Sequence, residues 1–207
     1  MRGKQKMYKK ILITILTTLS LFFTACGKQT NAGTAETPPA PDSSAIPQEN
    51  TLFQPADISD YPSMTNATKH VFLEGPISDT LDLFETGTAA IFFSYPECPF
   101  CNLVMPILNN VAQENNYSVI LLDAYRPEFD KENFDRFKSL FPEVESEDGN
   151  IYTPQLIIIK DGKVIDSFTG VPGDISHMDD ATASPYLEDD QKAIVATTYL
   201  EMLNKLR

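Results

Sequence analysis

A continuous apolar run is followed, after four residues, by two cysteines three positions apart. The run 89–93 contains no polar side chain, which is typical of a strand buried on both faces of a sheet. Cys98-Pro99-Phe100-Cys101 then opens a stretch, up to Asn115, in which apolar residues recur at helical spacing. Proline suits the first helical position because its missing N–H would have no partner there. The sequence therefore predicts a strand, a turn and a helix that begins at the cysteines.

This placement favours thiol chemistry at Cys98 and Cys101. The nucleophile in disulfide exchange is a thiolate, and a helix N-terminus in a Cys-x-x-Cys motif lowers a thiol pKa from ~8.5 to roughly 3.5–7.5. Cys101 lies one turn on, on the same helix face. We expect Cys98 to be the exposed attacking thiol, and Cys101 the more buried thiol that resolves the mixed disulfide.

Two other uses of the cysteines are possible. A purely structural disulfide here would close a short loop, which stabilises a fold less than a long loop does. A structural zinc ion needs four ligands, and the chain has one further cysteine, Cys26, and two histidines. We therefore favour redox chemistry and expect neither a metal site nor a cofactor.

Strands and helices alternate along the rest of the chain. Asp161-Gly162 between two apolar runs indicates a β-hairpin. We expect Ser78 to cap the first helix, and Ile194, Tyr199 and Leu203 to face inward from the last one. The order βαβαβαββα predicts an α/β fold with a central mixed sheet flanked by helices. Further strands are predicted at 71–73, 119–122, 156–159 and 164–168, and further helices at 78–84, 130–140 and 188–206.

The N-terminus has the pattern of an export signal. Residues 1–25 carry five basic side chains and no acid, and an apolar run at 11–23 precedes Thr24-Ala25-Cys26. That run is shorter than the ~20 residues of a transmembrane helix. Residues 23–26 resemble a bacterial lipobox, which implies that residues 1–25 are removed and that Cys26 carries the lipid anchor. An uncleaved signal anchor is the alternative, and both place the remaining chain outside the cytoplasm.

Composition divides the rest of the chain into a tether and a domain. Residues 26–56 are rich in Pro, Ala, Thr, Ser, Gln and Asn, which predicts a disordered tether, and 57–207 form the ordered domain. The net charge is −13, and the 11 basic and 29 acidic residues after position 25 give −18. Such an acidic domain argues against nucleic acid as a partner, because phosphate binding depends on Lys and Arg.

Over roughly residues 68–207 the chain resembles the thioredoxin superfamily. The resemblance rests on Cys98-Pro99-Phe100-Cys101, on Pro106 inside the following helix, and on Thr153-Pro154 just before a strand. It implies a thioredoxin fold and a cis peptide bond at Pro154, facing the cysteines. It also implies that the backbone of Thr153 binds an extended substrate. An ordinary trans proline at a strand start is the alternative.

The chain departs from thioredoxins near the cysteines. Phe92 stands where thioredoxins have a buried acid, and the chain has no Trp. Pro99-Phe100 resembles the dipeptide of glutaredoxins and disulfide isomerases. Glu97 either raises the pKa of the Cys98 thiol by repulsion or is a solvated surface acid. The direction of electron flow is therefore undecided. The acidic stretches 143–148 and 174–180 either set substrate choice or are mobile decoration.

Signal and motif together resemble the lipoproteins called bacteriocin transport accessory proteins. That resemblance implies a lipid-anchored thiol–disulfide oxidoreductase on the outer face of the membrane of a Gram-positive bacterium. Its expected partners are thiols or disulfides of exported proteins, a membrane or extracellular redox partner, and the membrane itself through Cys26. The alternative is an accessory module that assists an exporter with little catalysis.

Overall fold

The computed structural model describes residues 52–173 and 185–207, and the backbone alone at 178–179 and 184. The predicted signal peptide, Cys26 and the tether up to residue 51 lie outside the described residues. The acidic stretch 174–180 also lies outside them, except for the backbone at 178–179. Within the described residues, no helix is long and apolar enough to cross a membrane.

One six-stranded mixed sheet forms the centre of the domain. Its strand order is β1-β2-β4-β3-β5-β6; β2, β4 and β3 run parallel, and β1, β5 and β6 are antiparallel to their neighbours. A separate two-stranded sheet pairs β7 with β8. The strands are β1 (Gln54–Pro55), β2 (Phe72–Glu74), β3 (Ala89–Ser94), β4 (Val119–Asp123), β5 (Gln155–Lys160), β6 (Lys163–Thr169), β7 (Met178–Asp179) and β8 (Ser184–Pro185).

Helices cover both faces of the six-stranded sheet. α2 and α4 pack together on one face, and α1 and α3 on the other, so two separate cores form. The predicted α/β class is confirmed, and so is the order βαβαβαββα from β2 to α4, apart from the short β7–β8 pair that precedes α4. The helices are α1 (Ile77–Thr86), α2 (Pro99–Glu114), α3 (Lys131–Leu140) and α4 (Asp189–Leu203), with single 3₁₀ turns at Pro62–Met64, Pro142–Val144 and Asn204–Leu206.

The folded structure begins before residue 57, where the sequence analysis placed the domain boundary. β1 pairs with β2, and the Ala56 N–H donates to the Phe72 carbonyl at 3.1 Å. Ile58, Tyr61 and Met64 are buried in the core beside α2 and α4. We call residues 56–64 the N-terminal strap. Residues 57–64 fall within the predicted domain, but their packing beside α2 and α4 was not predicted, because the few apolar residues are scattered among polar ones.

Two predictions about helix faces were wrong. Ser78 does not cap α1: the helix begins at Ile77 after Pro76, and the Ser78 hydroxyl donates to Asp79 instead. Ile194 is 47 % exposed. The buried stripe of α4 runs through Val195, Tyr199, Met202 and Leu203, whose spacing follows one helix face, so Tyr199 and Leu203 point inward as predicted.

The predicted hairpin between β5 and β6 is confirmed. Asp161 and Gly162 have φ values of 51° and 69°, the left-handed conformation that a two-residue hairpin turn requires. The Gly162 N–H donates to the Gly87 carbonyl at 2.8 Å. An added Cβ at Gly162 would lie 2.0 Å from the Glu85 carbonyl oxygen. This turn therefore packs against the end of α1 so closely that only glycine fits.

Candidate active site

The two cysteines form a disulfide at the start of α2. After β3 ends at Ser94, the chain turns, and the Cys98 N–H donates to the Tyr95 carbonyl at 3.2 Å. Cys98 is the N-cap of α2, and its Sγ accepts the Cys101 N–H at 3.0 Å. The two Cα atoms are 5.1 Å apart, within the usual range for a disulfide. The predicted strand–turn–helix unit thus brings both thiols together at a helix N-terminus.

The disulfide is more buried than the sequence predicts. Cys98 is 2 % exposed and Cys101 is 0 % exposed, so the expected exposed position of Cys98 is wrong for the disulfide form. One cause is the loop before β5, from which the Thr153 hydroxyl lies 3.3 Å from the Cys98 Sγ. Pro99 and Phe100 remain exposed beside the disulfide.

Thr153 and Pro154 form the second part of the site. The peptide bond between them is cis, as the resemblance implied, and β5 begins at the next residue. Thr153 donates a hydrogen bond to Cys98 Sγ across 55 positions of sequence. The cysteine pair lies on the helix after the second parallel strand, and the cis-proline lies just before the antiparallel hairpin. Both are where the resemblance to thioredoxins implied. The fold is that of thioredoxin.

Comparison with known proteins finds solved thioredoxin structures. Thioredoxin from Aeropyrum pernix is 16 % identical over 63 % of this chain and 83 % of that chain, with a TM-score of 0.37. Thioredoxin O2 from Arabidopsis thaliana in its oxidized state is 15 % identical over 49 % and 84 %, with a TM-score of 0.36. Desulfothioredoxin from Desulfovibrio vulgaris Hildenborough in its reduced form is 25 % identical over 44 % and 76 %, with a TM-score of 0.30. No family model and no curated protein matches the chain.

A largely buried polar network lies at the ends of the two central strands of this thioredoxin-like domain. The Tyr61 hydroxyl is 2.7 Å from the Ser94 Oγ and donates to the Asp123 Oδ2 at 3.2 Å. Burial raises the pKa of Asp123, which the hydrogen bonds from Tyr125 and Tyr61 partly offset. Burial likewise raises the pKa of the Tyr61 hydroxyl.

Sequence reasoning missed this network, although part of its signal was visible. Ser94 and Asp123 each end an apolar run, and a polar residue at the ends of two neighbouring parallel strands is a recognisable pattern. Nothing in the sequence pointed to Tyr61, which comes from the N-terminal strap. Phe92, which stands where thioredoxins have a buried acid, is 0 % exposed. The polar groups of the network, Ser94 and Asp123, lie instead at the ends of β3 and β4.

Asn102 fixes the turn that carries Cys98. Its side-chain amide donates to the Pro96 carbonyl at 2.6 Å and to the Cys98 carbonyl at 3.1 Å. Its Oδ1 accepts the Ser63 N–H at 3.2 Å. The N-terminal strap is therefore hydrogen-bonded to the residue that follows Cys101.

The acidic stretch 143–148 leads into a small loop beside Thr153. Asp148 accepts hydrogen bonds from Ser146, from Asn150 and, at 2.8 Å, from the Tyr152 hydroxyl. These bonds hold the pKa of Asp148 well below its usual range. The Tyr152 ring, 48 % exposed, is thereby held by its hydroxyl at the position next to Thr153.

Proposed function

We propose that this chain is a thiol–disulfide oxidoreductase that is lipid-anchored at the outer face of the cell membrane and acts on cysteines of exported proteins. The observation that carries the proposal is the Cys98–Cys101 disulfide at the N-terminus of α2, with the Thr153 hydroxyl 3.3 Å from the Cys98 Sγ. A disulfide within one helical turn can open without unfolding the helix. The free N–H groups of the helix start then stabilise a thiolate at Cys98.

The proposed reaction proceeds in two exchanges. The Cys98 thiolate attacks a client disulfide, which forms a mixed disulfide and releases one client thiolate. The Cys101 thiol then loses its proton and attacks the Cys98 Sγ, which releases the second client thiolate and re-forms the disulfide. The same steps in reverse oxidise a client. The backbone of Thr153, beside the cis bond to Pro154, is proposed to bind the client chain in extended form.

The location and partners are proposed from the sequence. The export signal at 1–25 and Cys26 support a lipid anchor, and the tether holds the domain off the membrane. A disulfide exchanger outside the cytoplasm needs a membrane or extracellular redox partner to restore its starting state. Cysteine-containing exported proteins are its proposed clients.

The test is a disulfide-reduction assay on insulin with dithiothreitol as the electron source. The wild-type chain is expected to accelerate reduction, and the Cys98→Ser, Cys101→Ser double variant to leave only the rate of dithiothreitol alone. The same double variant is then expressed in the native host. Full retention of cellular function there would favour an accessory module for an exporter, with the cysteines incidental, over catalysis.

A further inference from the structure

Three polar side chains meet at the carboxyl ends of β3 and β4, the sheet edge from which the cysteine turn leaves. Ser94, at the end of β3, is 0 % exposed, and Tyr61, from the N-terminal strap, is 1 % exposed. The Tyr61 hydroxyl joins Ser94 to Asp123, the last residue of β4. Ser94 and Asp123 are direct partners in the parallel pairing of β3 with β4. We call these three side chains the Asp123 network.

Strand geometry puts the Asp123 network under the start of α2. Phe92 and Leu121 belong to the core that α2 covers. Side chains two residues apart on a strand share a face, so Ser94 and Asp123 point to the α2 side as well. α2 starts five residues after Ser94, and its N-terminal end carries Cys101 on the buried helix face.

The N-terminal strap ties the network to the cysteine turn. Tyr61 supplies the network's hydroxyl, and two residues later the Ser63 N–H donates to Asn102. Asn102 follows Cys101 and also donates to the Cys98 carbonyl at 3.1 Å. The strap thus contacts the network through Tyr61 and the cysteine turn through Ser63, two residues later.

Several groups act on the Asp123 carboxylate. The Tyr61 hydroxyl and the Tyr125 N–H, at 2.8 Å, donate hydrogen bonds to it. Arg126 attracts it and Glu97 repels it. The Arg126 guanidinium also donates to the Gly75 carbonyl and pairs with Glu74 and Glu128, which divide its charge among several acceptors.

Glu97 is a second carboxylate that acts electrostatically on the Asp123 network. It immediately precedes Cys98, is exposed, and repels both Asp123 and the ionised form of Tyr61. One acid, Asp123, therefore lies at the sheet edge from which the cysteine turn leaves, and the other, Glu97, immediately precedes Cys98. A carboxylate disfavours a nearby thiolate but has no charge to repel in a disulfide.

We propose that Asp123 is a positioning residue that, together with Glu97, biases the Cys98–Cys101 pair toward its disulfide form, so that the domain acts as an electron donor to its clients. This inference rests on the proposed function and gives it a direction. The α2 N-terminus favours the Cys98 thiolate, and the two acids oppose it.

The measurable reaction is exchange with glutathione. Two glutathione thiols deliver two electrons and two protons to the Cys98–Cys101 disulfide and leave as one glutathione disulfide; the product is the dithiol, whose Cys98 gives its proton to water when it ionises. An acid that repels that thiolate lowers the equilibrium constant of this reaction.

The test compares Asp123→Asn, Glu97→Gln and Glu132→Gln in the full chain, equilibrated with glutathione buffers above neutral pH. Glu132→Gln is the matched control, since it removes one negative charge from an exposed position at the start of α3. Asp123→Asn is expected to favour the dithiol by about threefold to tenfold, where tenfold corresponds to ~30 mV. Glu97→Gln should act in the same direction, and Glu132→Gln should have no effect.

A pH series separates the electrostatic role from a structural one. The effect of Asp123→Asn should vanish as pH falls below the pKa of the Cys98 thiol or of the Asp123 carboxyl, whichever is higher, because one of the two charges is then absent. Tyr61→Phe removes a hydrogen bond that lowers the pKa of Asp123, so in that background the effect should not set in at a lower pH than in wild type. Asn can still accept from Tyr61, and Glu97→Gln alters an exposed side chain, so both variants are expected to fold.

The outcomes distinguish the inference from the proposed function. If wild type equilibrates with glutathione but Asp123→Asn and Glu97→Gln leave the constant unchanged, or shift it toward the disulfide, the inference is wrong and the proposed function stands. If Asp123→Asn only lowers the unfolding temperature, its role is structural and the inference is again wrong. If wild type exchanges with neither glutathione nor insulin, both are wrong.

Discussion

Cys98 and Cys101 occupy different positions on the same helix turn, although both are buried in the disulfide form. Cys98 is the N-cap, where its sulfur already accepts the Cys101 N–H. Cys101 lies inside the helix on the face that packs on the sheet. In the reduced protein, the hydrogen bond that the Cys101 N–H donates to the Cys98 sulfur will stabilise a thiolate at Cys98. Burial disfavours a charge at Cys101.

We therefore expect iodoacetamide to label the two thiols at different rates. In the reduced chain at neutral pH, Cys98 should react at least about tenfold faster than Cys101, since a thiol pKa lower by one unit gives a tenfold larger thiolate fraction. Mass spectrometry of peptides from a time course measures both rates. Equal rates, or faster labelling of Cys101, would reverse the assigned roles.

The second residue-scale prediction concerns the mixed disulfide. Cys101→Ser should leave Cys98 covalently joined to a client, because serine cannot perform the second exchange. The adducts are read from non-reducing gels of the native host, and Cys98→Ser, Cys101→Ser is the matched control that cannot form them. Client proteins should be exported and contain cysteine. An absence of Cys98-dependent adducts, while a known exchange enzyme in the same cells yields them, would favour the accessory module.

Among the elements, the β5–β6 hairpin is the most tightly specified turn. Asp161 and Gly162 both take the left-handed conformation, and the Gly162 Cα faces the backbone at the end of α1. Gly170 also has a positive φ, of 85°, but an added Cβ there would meet nothing within 4 Å. A substitution at Gly170 therefore measures the free-energy cost of the left-handed backbone alone. A substitution at Gly162 adds the cost of a steric clash.

Alanine at these two positions should destabilise the domain to different extents. Gly170→Ala should lower the free energy of unfolding by about 1 kcal/mol, the cost of a left-handed alanine. Gly162→Ala should lower it by roughly 3 kcal/mol or more, because α1 or the hairpin must also move. Urea unfolding measures both values. An equal loss of unfolding free energy in the two variants would mean that the end of α1 moves away from the added methyl group at position 162 at no cost in stability.

The elements that sequence predicted best are those whose signal is local. The apolar runs at 89–93 and 156–159 and the Asp161-Gly162 turn each carry their own pattern, and all three appear in the structure. The packing of the N-terminal strap was not predicted because it depends on distant partners: Tyr61 bonds to Ser94 and Asp123, 33 and 62 positions away.

In the candidate site, too, the residues in short motifs were predicted and the features that depend on distant contacts were not. Cys98, Cys101, Thr153 and Pro154 were predicted because they belong to short motifs, and the structure brings Thr153 to Cys98. Burial of Cys98 and the Asp123 network followed from packing between segments, which no motif records.

At the scale of the whole molecule, the proposed lipid anchor lies before the described domain. Cys26→Ala should release the protein from the membrane fraction or block its processing, because the lipid would have no attachment point. Fractionation and N-terminal sequencing measure this. Cys98→Ser serves as the control for loss of a cysteine. Unchanged membrane retention together with an unchanged N-terminus would contradict lipidation and favour an uncleaved signal anchor.

The pairing of β1 also determines the edge at which the preceding chain joins the domain. Gln54 lies opposite Glu74 at the carboxyl end of β2. The parallel strands β2, β3 and β4 end at the same edge of the sheet, and Cys98 follows the end of β3. Arg207, whose carbonyl accepts from Lys160, lies toward the opposite edge. The chain before Gln54 therefore enters the domain at the sheet edge that carries the disulfide, and a reporter fused after Arg207 would stay clear of clients that reach that edge.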